Sequence, residues 1–253
     1  MRTPGNDLVE TSEDISRAGA GAGDVELRFA GFTVLWFVLG SGVLPGVTAW
    51  CVGRRGGSTA WAAAAVLGMQ LAMLAVYFPM ARRTVVSWRE LAKLLQIGIW
   101  RRAWLWQGPL LAAGLVLAVG AVTWLWRAAA ARCGIVFDVP RSLEILQSGD
   151  PAARFPLIVL ALLIAPFWEE AAFRNGLFRL LRLRLPYAAS AILTGGVFAL
   201  MHGSGLQFPG LLLLALVWQY ARERSGSLWS SVWLHFCNNL WAVTLLGFLR
   251  TGG

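Results

Sequence analysis

Two carboxylates and both histidines of this 253-residue chain stand in or at the end of apolar runs. Glu169 and Glu170 close the run 155–168, and Arg174 follows them. His202 ends a run that begins at Ile192, and His235 lies within a third, four residues before Asn239. Ionisable groups in hydrocarbon are costly, so they mark a functional site or its ion-pair support. Neighbouring helix positions point about 100° apart, so Glu169 and Glu170 cannot do the same job. Glu170 precedes Arg174 by four residues, the favourable order for a helix ion pair. Arg174 can thereby offset one buried carboxylate. Glu169 is left as a base or a ligand. The competing reading puts both acids in one packing network with Arg174, but one guanidinium cannot neutralise two carboxylates. His202 follows Phe198 by four residues, on the same helix face. His235 and Asn239 also share a face and offer donors at fixed separation, suited to a developing oxyanion. Either residue alone would serve equally well as glue between membrane helices.

In order, Glu169-Glu170-x-x-x-Arg174, Phe198-x-x-x-His202 and His235-x-x-x-Asn239 resemble the three motifs of the CPBP intramembrane protease family, also called Abi or CAAX-protease-like. The resemblance covers about residues 155–249. It implies an intramembrane glutamic-type endopeptidase, acting on a membrane-protein, lipidated or peptide substrate without a cofactor. By the same resemblance, Glu169 is the general base that activates water with help from His202. His235 and Asn239 are the oxyanion pair, and Glu170, Arg174 and Phe198 support them. A zinc-dependent protease competes, because Glu169, His202 and His235 supply two imidazoles and a carboxylate, a known catalytic zinc set. The chain has no HExxH, and those ligands would come from three separate helices, so the metal-independent reading is preferred. Two other classes are a proton-coupled transporter using these groups as a relay and a non-catalytic scaffold. The lack of discontinuous repeats speaks against the transporter.

The elements that must position these residues are membrane helices. The chain is 57% hydrophobic and only 14% charged, with a mean hydropathy of +0.62. A soluble domain carries about a quarter charged residues. Continuous apolar runs near the roughly 20 residues of a spanning helix predict an all-α, multi-pass transmembrane bundle of about seven to eight spans. Seven candidates fall at 29–52, 59–80, 105–126, 155–181, 187–202, 208–220 and 228–249. Residues 88–104 mix apolar and basic side chains and read as an interfacial amphipathic helix. Residues 1–27 read as a polar, disordered cytoplasmic tail without signal-peptide features. Residues 28–253 form a single transmembrane domain with its catalytic core at about 155–249.

The net charge of +9 fits the Lys/Arg bias of cytoplasmic loops and lipid headgroup contact better than nucleic acid. With the N-terminus inside, Lys and Arg favour the inside segments two to one, as expected of a protein of the cell membrane. On that map Glu169, His202 and His235 lie at similar depth, roughly 16 to 24 Å from their inside ends at 1.5 Å per residue. Independent placement would not require this, so they are expected to share one site. The remaining features read as structural. Pro166 kinks its span one turn before the glutamates. Gly195-Gly196 suits close helix approach, and Gly203-x-Gly205 a turn. The fourteen tryptophans suit interfacial belts and packing. Cys51, Cys133 and Cys237 form no framework.

Overall fold

The computed structural model describes residues 12–44, 47–48, 58–83, 87–97, 102–147 and 150–251. Among these the regular structure is helical, and no strand occurs. The helices are α1 (Ser12–Phe37, continued by a π-helical turn Val38–Val43), α2 (Thr59–Arg82), α3 (Trp88–Leu95), α4 (Trp104–Arg132) and α5 (Arg141–Gln147). They continue with α6 (Pro151–Arg182), α7 (Tyr187–Met201), α8 (Phe208–Ser225) and α9 (Leu228–Thr251). Three of them, α2, α4 and α6, are long and apolar enough to cross a membrane, and α7 is a shorter apolar helix. Exposed Trp106, Leu110, Leu117 and Trp124 on α4 suit a lipid-facing surface. The protein is an all-α membrane bundle.

Helix boundaries follow local chemistry. The Ser58 and Ser87 side chains accept from the backbone N–H three residues on, capping α2 and α3. Asp150 caps α6 ahead of Pro151, whose missing N–H costs nothing at a first turn. Two sequence expectations need correction. Helix α1 begins at Ser12, so the described part of the expected tail is helical, with Asp24 and Arg28 paired at i,i+4. Residues 1–11 lie outside the described residues. The amphipathic helix is also shorter than 88–104. It ends at Leu95, and Gln96 adopts a left-handed conformation at φ 54°.

This short helix is fixed beneath the motif-bearing helices. Leu91, Leu94 and Leu95 are buried, whereas Trp88, Arg89 and Lys93 are exposed. Three successive carbonyls at its C-terminal end, of the kind that helix ends leave unpaired, are captured by α6 and α9. The Leu95 carbonyl accepts from Asn175 Nδ2 at 2.8 Å, that of Gln96 from the Leu228 N–H at 3.0 Å, and that of Ile97 from Trp229 Nε1 at 2.8 Å. Asn175 is fully buried, and its Oδ1 accepts from Arg222 Nη2 at 2.9 Å. One amide therefore joins α3, α6 and α8.

Close approaches complete the frame. A Cβ at Gly176 would lie 2.7 Å from Val34 Cγ2, so α1 crosses α6 only because that side chain is missing. At Gly195 a Cβ would meet Leu212 at 3.0 Å, which is the expected α7–α8 approach, whereas Gly196 has nothing within 4 Å. Gly203 turns the chain after α7 at φ +64°. Cys237 is buried in the core, Cys133 is exposed, and Cys51 lies outside the described residues. Asn175→Leu is expected to leave the Leu95 carbonyl and an Arg222 N–H unpaired, at about 1–3 kcal/mol for each buried group. The check is a lower unfolding midpoint in detergent, with Asn175→Ser closer to wild type.

Candidate active site

Helix α6 is irregular on both sides of its glutamates. A π-helical turn at Leu160–Ile164 precedes them, and a second at Ala171–Leu177 follows. Such turns are frequent at functional sites. Pro166 accounts for part of the first. The Ala165 N–H reaches back five residues to the Leu160 carbonyl. In that register the Ala161 carbonyl would pair with residue 166, and proline has no N–H to give. Asn239 of α9 takes the vacant acceptor, with Nδ2 2.8 Å from the Ala161 oxygen. An amide nitrogen carries two protons, so the second remains available.

The two glutamates separate as their spacing requires. The Glu170 side chain is fully buried, and the Glu169 side chain keeps 19% of its surface. Glu170 Oε2 lies 3.0 Å from Arg174 Nε, and both side chains are sealed from solvent. The Arg174 guanidinium is 5.6 Å from the Phe198 ring and 6.0 Å from the Trp218 ring. Aromatic faces thus attract a cation whose Nη2 has no hydrogen-bond partner among the described residues.

His235 completes this chain of contacts. Its Nδ1 lies 3.3 Å from Glu170 Oε1. An ionised carboxylate only accepts, so the proton on Nδ1 is donated to it. Nε2 faces Glu169 Oε2 at 3.9 Å. The imidazole also stacks on Trp218, with ring centres 3.9 Å apart and planes 18° apart. His202 stands at the end of α7, exposed, with Nδ1 2.8 Å from the Phe198 carbonyl and its ring 4.7 Å from that of Phe198. A carbonyl likewise only accepts, which leaves His202 Nε2 as the unprotonated nitrogen of the neutral ring.

Glu169, His202, His235 and Asn239 all line one cavity of roughly 710 Å³. Phe198, Trp218 and Asn238 line it too, with leucines and valines of α4, α6, α8 and α9 and the polar Thr123, Arg127 and Gln207. The four candidate residues are therefore brought to one place. Their pairings differ from the resemblance: the glutamates' nearest imidazole is that of His235, and Asn239 donates to the α6 backbone. Among the described residues no three His, Cys, Asp or Glu side chains are gathered as metal ligands.

Residues 151–241 match the family model described as type II CAAX prenyl endopeptidase, Rce1-like. Over this segment the chain is similar to the CAAX-protease-like family. The segment covers just over a third of the chain and contains Glu169, Glu170, Arg174, Phe198, His202, His235 and Asn239. No curated protein and no solved structure matches the chain. Helices α1–α5 lie outside the CAAX-protease-like segment, yet α4 lines its cavity and α3 is bonded to it.

Sequence spacing missed two members of the site. Trp218 carries no mark that separates it from the other tryptophans, read as interfacial or packing residues; its one signal is the i,i+4 relation to Arg222, a second arginine buried in the bundle. Asn175, next to Arg174, carried no signal of its own. Removing one partner of a buried ion pair costs about 3–5 kcal/mol. Arg174→Leu is therefore expected to unfold the protein at markedly lower temperature in detergent. The double variant Glu170→Leu with Arg174→Leu should recover much of that loss. A double variant no more stable than Arg174→Leu would mean that the pair is not what destabilises the single one.

Proposed function

We propose that the protein is an intramembrane endopeptidase of the CAAX-protease type, hydrolysing a peptide bond of a membrane-associated protein or peptide. The observation that carries this reading is the single cavity onto which Glu169, His202, His235 and Asn239 all open. Its largely apolar lining suits a lipidated or apolar substrate segment. The two-to-one distribution of Lys and Arg favours an orientation with the N-terminus and the Arg182 end of α6 cytoplasmic.

Glu169 carries the part of general base. Its Oε2 has no hydrogen-bond partner among the described residues, whereas Glu170 is committed to Arg174 and His235. Water gives a proton to Glu169, and His202 Nε2 accepts a hydrogen bond from the same water. The water oxygen attacks the scissile carbonyl. The mechanism requires His235 as the imidazolium, donating from Nδ1 to Glu170 and from Nε2 to the oxyanion. The second N–H of Asn239 joins it. Donors held in advance in a dry site avoid reorganisation when charge develops, and each is worth about 10²–10³ in turnover. As the tetrahedral species collapses, the C–N bond breaks. Glu169 passes its proton to the leaving nitrogen, giving a carboxylate and an amine.

This mechanism is metal-independent. A zinc protease would use Glu169, His202 and His235 as ligands, with His235 Nδ1 bonded to Glu170 and His202 Nδ1 to a backbone carbonyl, outer contacts that metal-bound imidazoles also make. Only the two Nε2 atoms remain to meet a metal. The metal-independent reading is preferred because the chain has no HExxH.

Glu169→Gln is expected to leave the unfolding midpoint unchanged and to lower cleavage by about 10²–10⁴-fold, the usual weight of a general base. The assay is purified protein in detergent with candidate CAAX-type substrates, read on a gel, with and without exhaustive chelation. Wild-type turnover by folded Glu169→Gln would remove the base assignment. Cleavage lost to the chelator and restored by zinc alone would transfer the same residues to a metal site.

A further inference from the structure

Helix α8 carries none of the motif residues, yet it sends Trp218 into the centre of the site. The indole is 1% exposed and touches all three motif-bearing helices. It stacks on His235 of α9, meets Phe198 of α7 edge-on at 5.8 Å and 81°, and lies 6.0 Å from the Arg174 guanidinium of α6. Its Nε1–H has no hydrogen-bond partner among the described residues. Buried tryptophans usually find one, so this ring is held by its faces and edges rather than by its polar end.

The imidazole it covers has a loose tether. Among the described residues the His235 ring makes one hydrogen bond, Nδ1 to Glu170, at 3.3 Å, beyond the usual 2.7–3.2 Å of an N–H···O bond. One contact of that length leaves the ring free to swing about it. A flat neighbour with its centre 3.9 Å away and its plane 18° off removes that freedom. The hydrogen bond fixes the direction of the ring, and the stack fixes its plane. Together they direct Nε2 toward Glu169 and the cavity.

We propose that Trp218 is a positioning residue, whose ring face sets the plane in which His235 presents Nε2 to the reacting atoms. Its effect on turnover rests on the peptidase reading above; its effect on the imidazole does not. Trp218 also lines the cavity, and a mere substrate contact would change KM. A positioning role changes kcat, because misplacement of a reacting group by about an ångström can cost 10²-fold.

The chain's two histidines make the test direct. Full-length protein with isotope-labelled histidine, in detergent, should give two imidazole Cε1–Hε1 signals. One, assigned by its loss in His235→Gln, should be shifted upfield by the indole ring current. Trp218→Leu should abolish that shift and lower kcat about tenfold or more, with KM within about twofold of wild type. Trp218→Phe, which keeps an aromatic face, should retain part of the shift and most of the turnover. If Trp218→Leu does not fold, the wild-type shift and the Phe variant still decide. An unshifted His235 signal in wild type overturns the proposal. So does Trp218→Leu with wild-type kcat, or an effect confined to KM. A protein that shows the shifts but cleaves nothing would count against the peptidase reading and leave the stack standing.

Discussion

The site depends on one buried pair of opposite charges. Glu170 and Arg174 lie on adjacent turns of α6, 3.0 Å apart, with almost no exposed surface. A lone charge in hydrocarbon is expensive, and pairing is what makes either residue tolerable there. The pair then constrains its neighbours. The second carboxylate oxygen of Glu170 receives the Nδ1–H of His235, and the unbonded side of the guanidinium meets the faces of Phe198 and Trp218. Three other helices are thereby brought to α6 by one ion pair. Glu169, a residue earlier and turned by about 100°, is left facing the cavity.

Irregular backbone does comparable work on the opposite side. A proline inside a helix removes one donor and leaves one acceptor unpaired. In a bilayer that acceptor must find a partner within the protein. At Ala161 the partner is Asn239, so a defect in α6 holds a candidate oxyanion donor of α9. The bend expected of Pro166 is thus better described by the carbonyl it frees. The α3 helix shows the same logic, its three terminal carbonyls being satisfied by Asn175, Leu228 and Trp229.

Within a helix, the sequence was a good guide. The Glu170–Arg174 pair and the Phe198–His202 contact both follow from i,i+4 geometry, which needs no knowledge of neighbouring helices. Convergence of Glu169, His202 and His235 was legible from their shared depth, because rise per residue fixes height. Contacts set by helix rotation were hidden. That His235 meets Glu170, and that Trp218 lies flat on His235, depends on how α8 and α9 turn about their axes. Both helices are apolar around most of their circumference, so no polar stripe announces that angle. The helix over residues 12–27 was missed because a Gly/Ala-rich, mixed-charge segment resembles a tail in composition. The early end of α3 turns on a left-handed Gln96, a conformation few residue types advertise.

The most direct measurement is an experimental structure with a tetrahedral phosphinic peptide bound, standing in for the hydrated scissile bond. One phosphinyl oxygen is predicted to lie within hydrogen-bond reach of His235 Nε2 and Asn239 Nδ2, and the other beside Glu169 and His202 Nε2. An analogue seated away from these four residues would contradict the proposed mechanism. So would one whose oxygens bind a metal ion held by Glu169, His202 and His235.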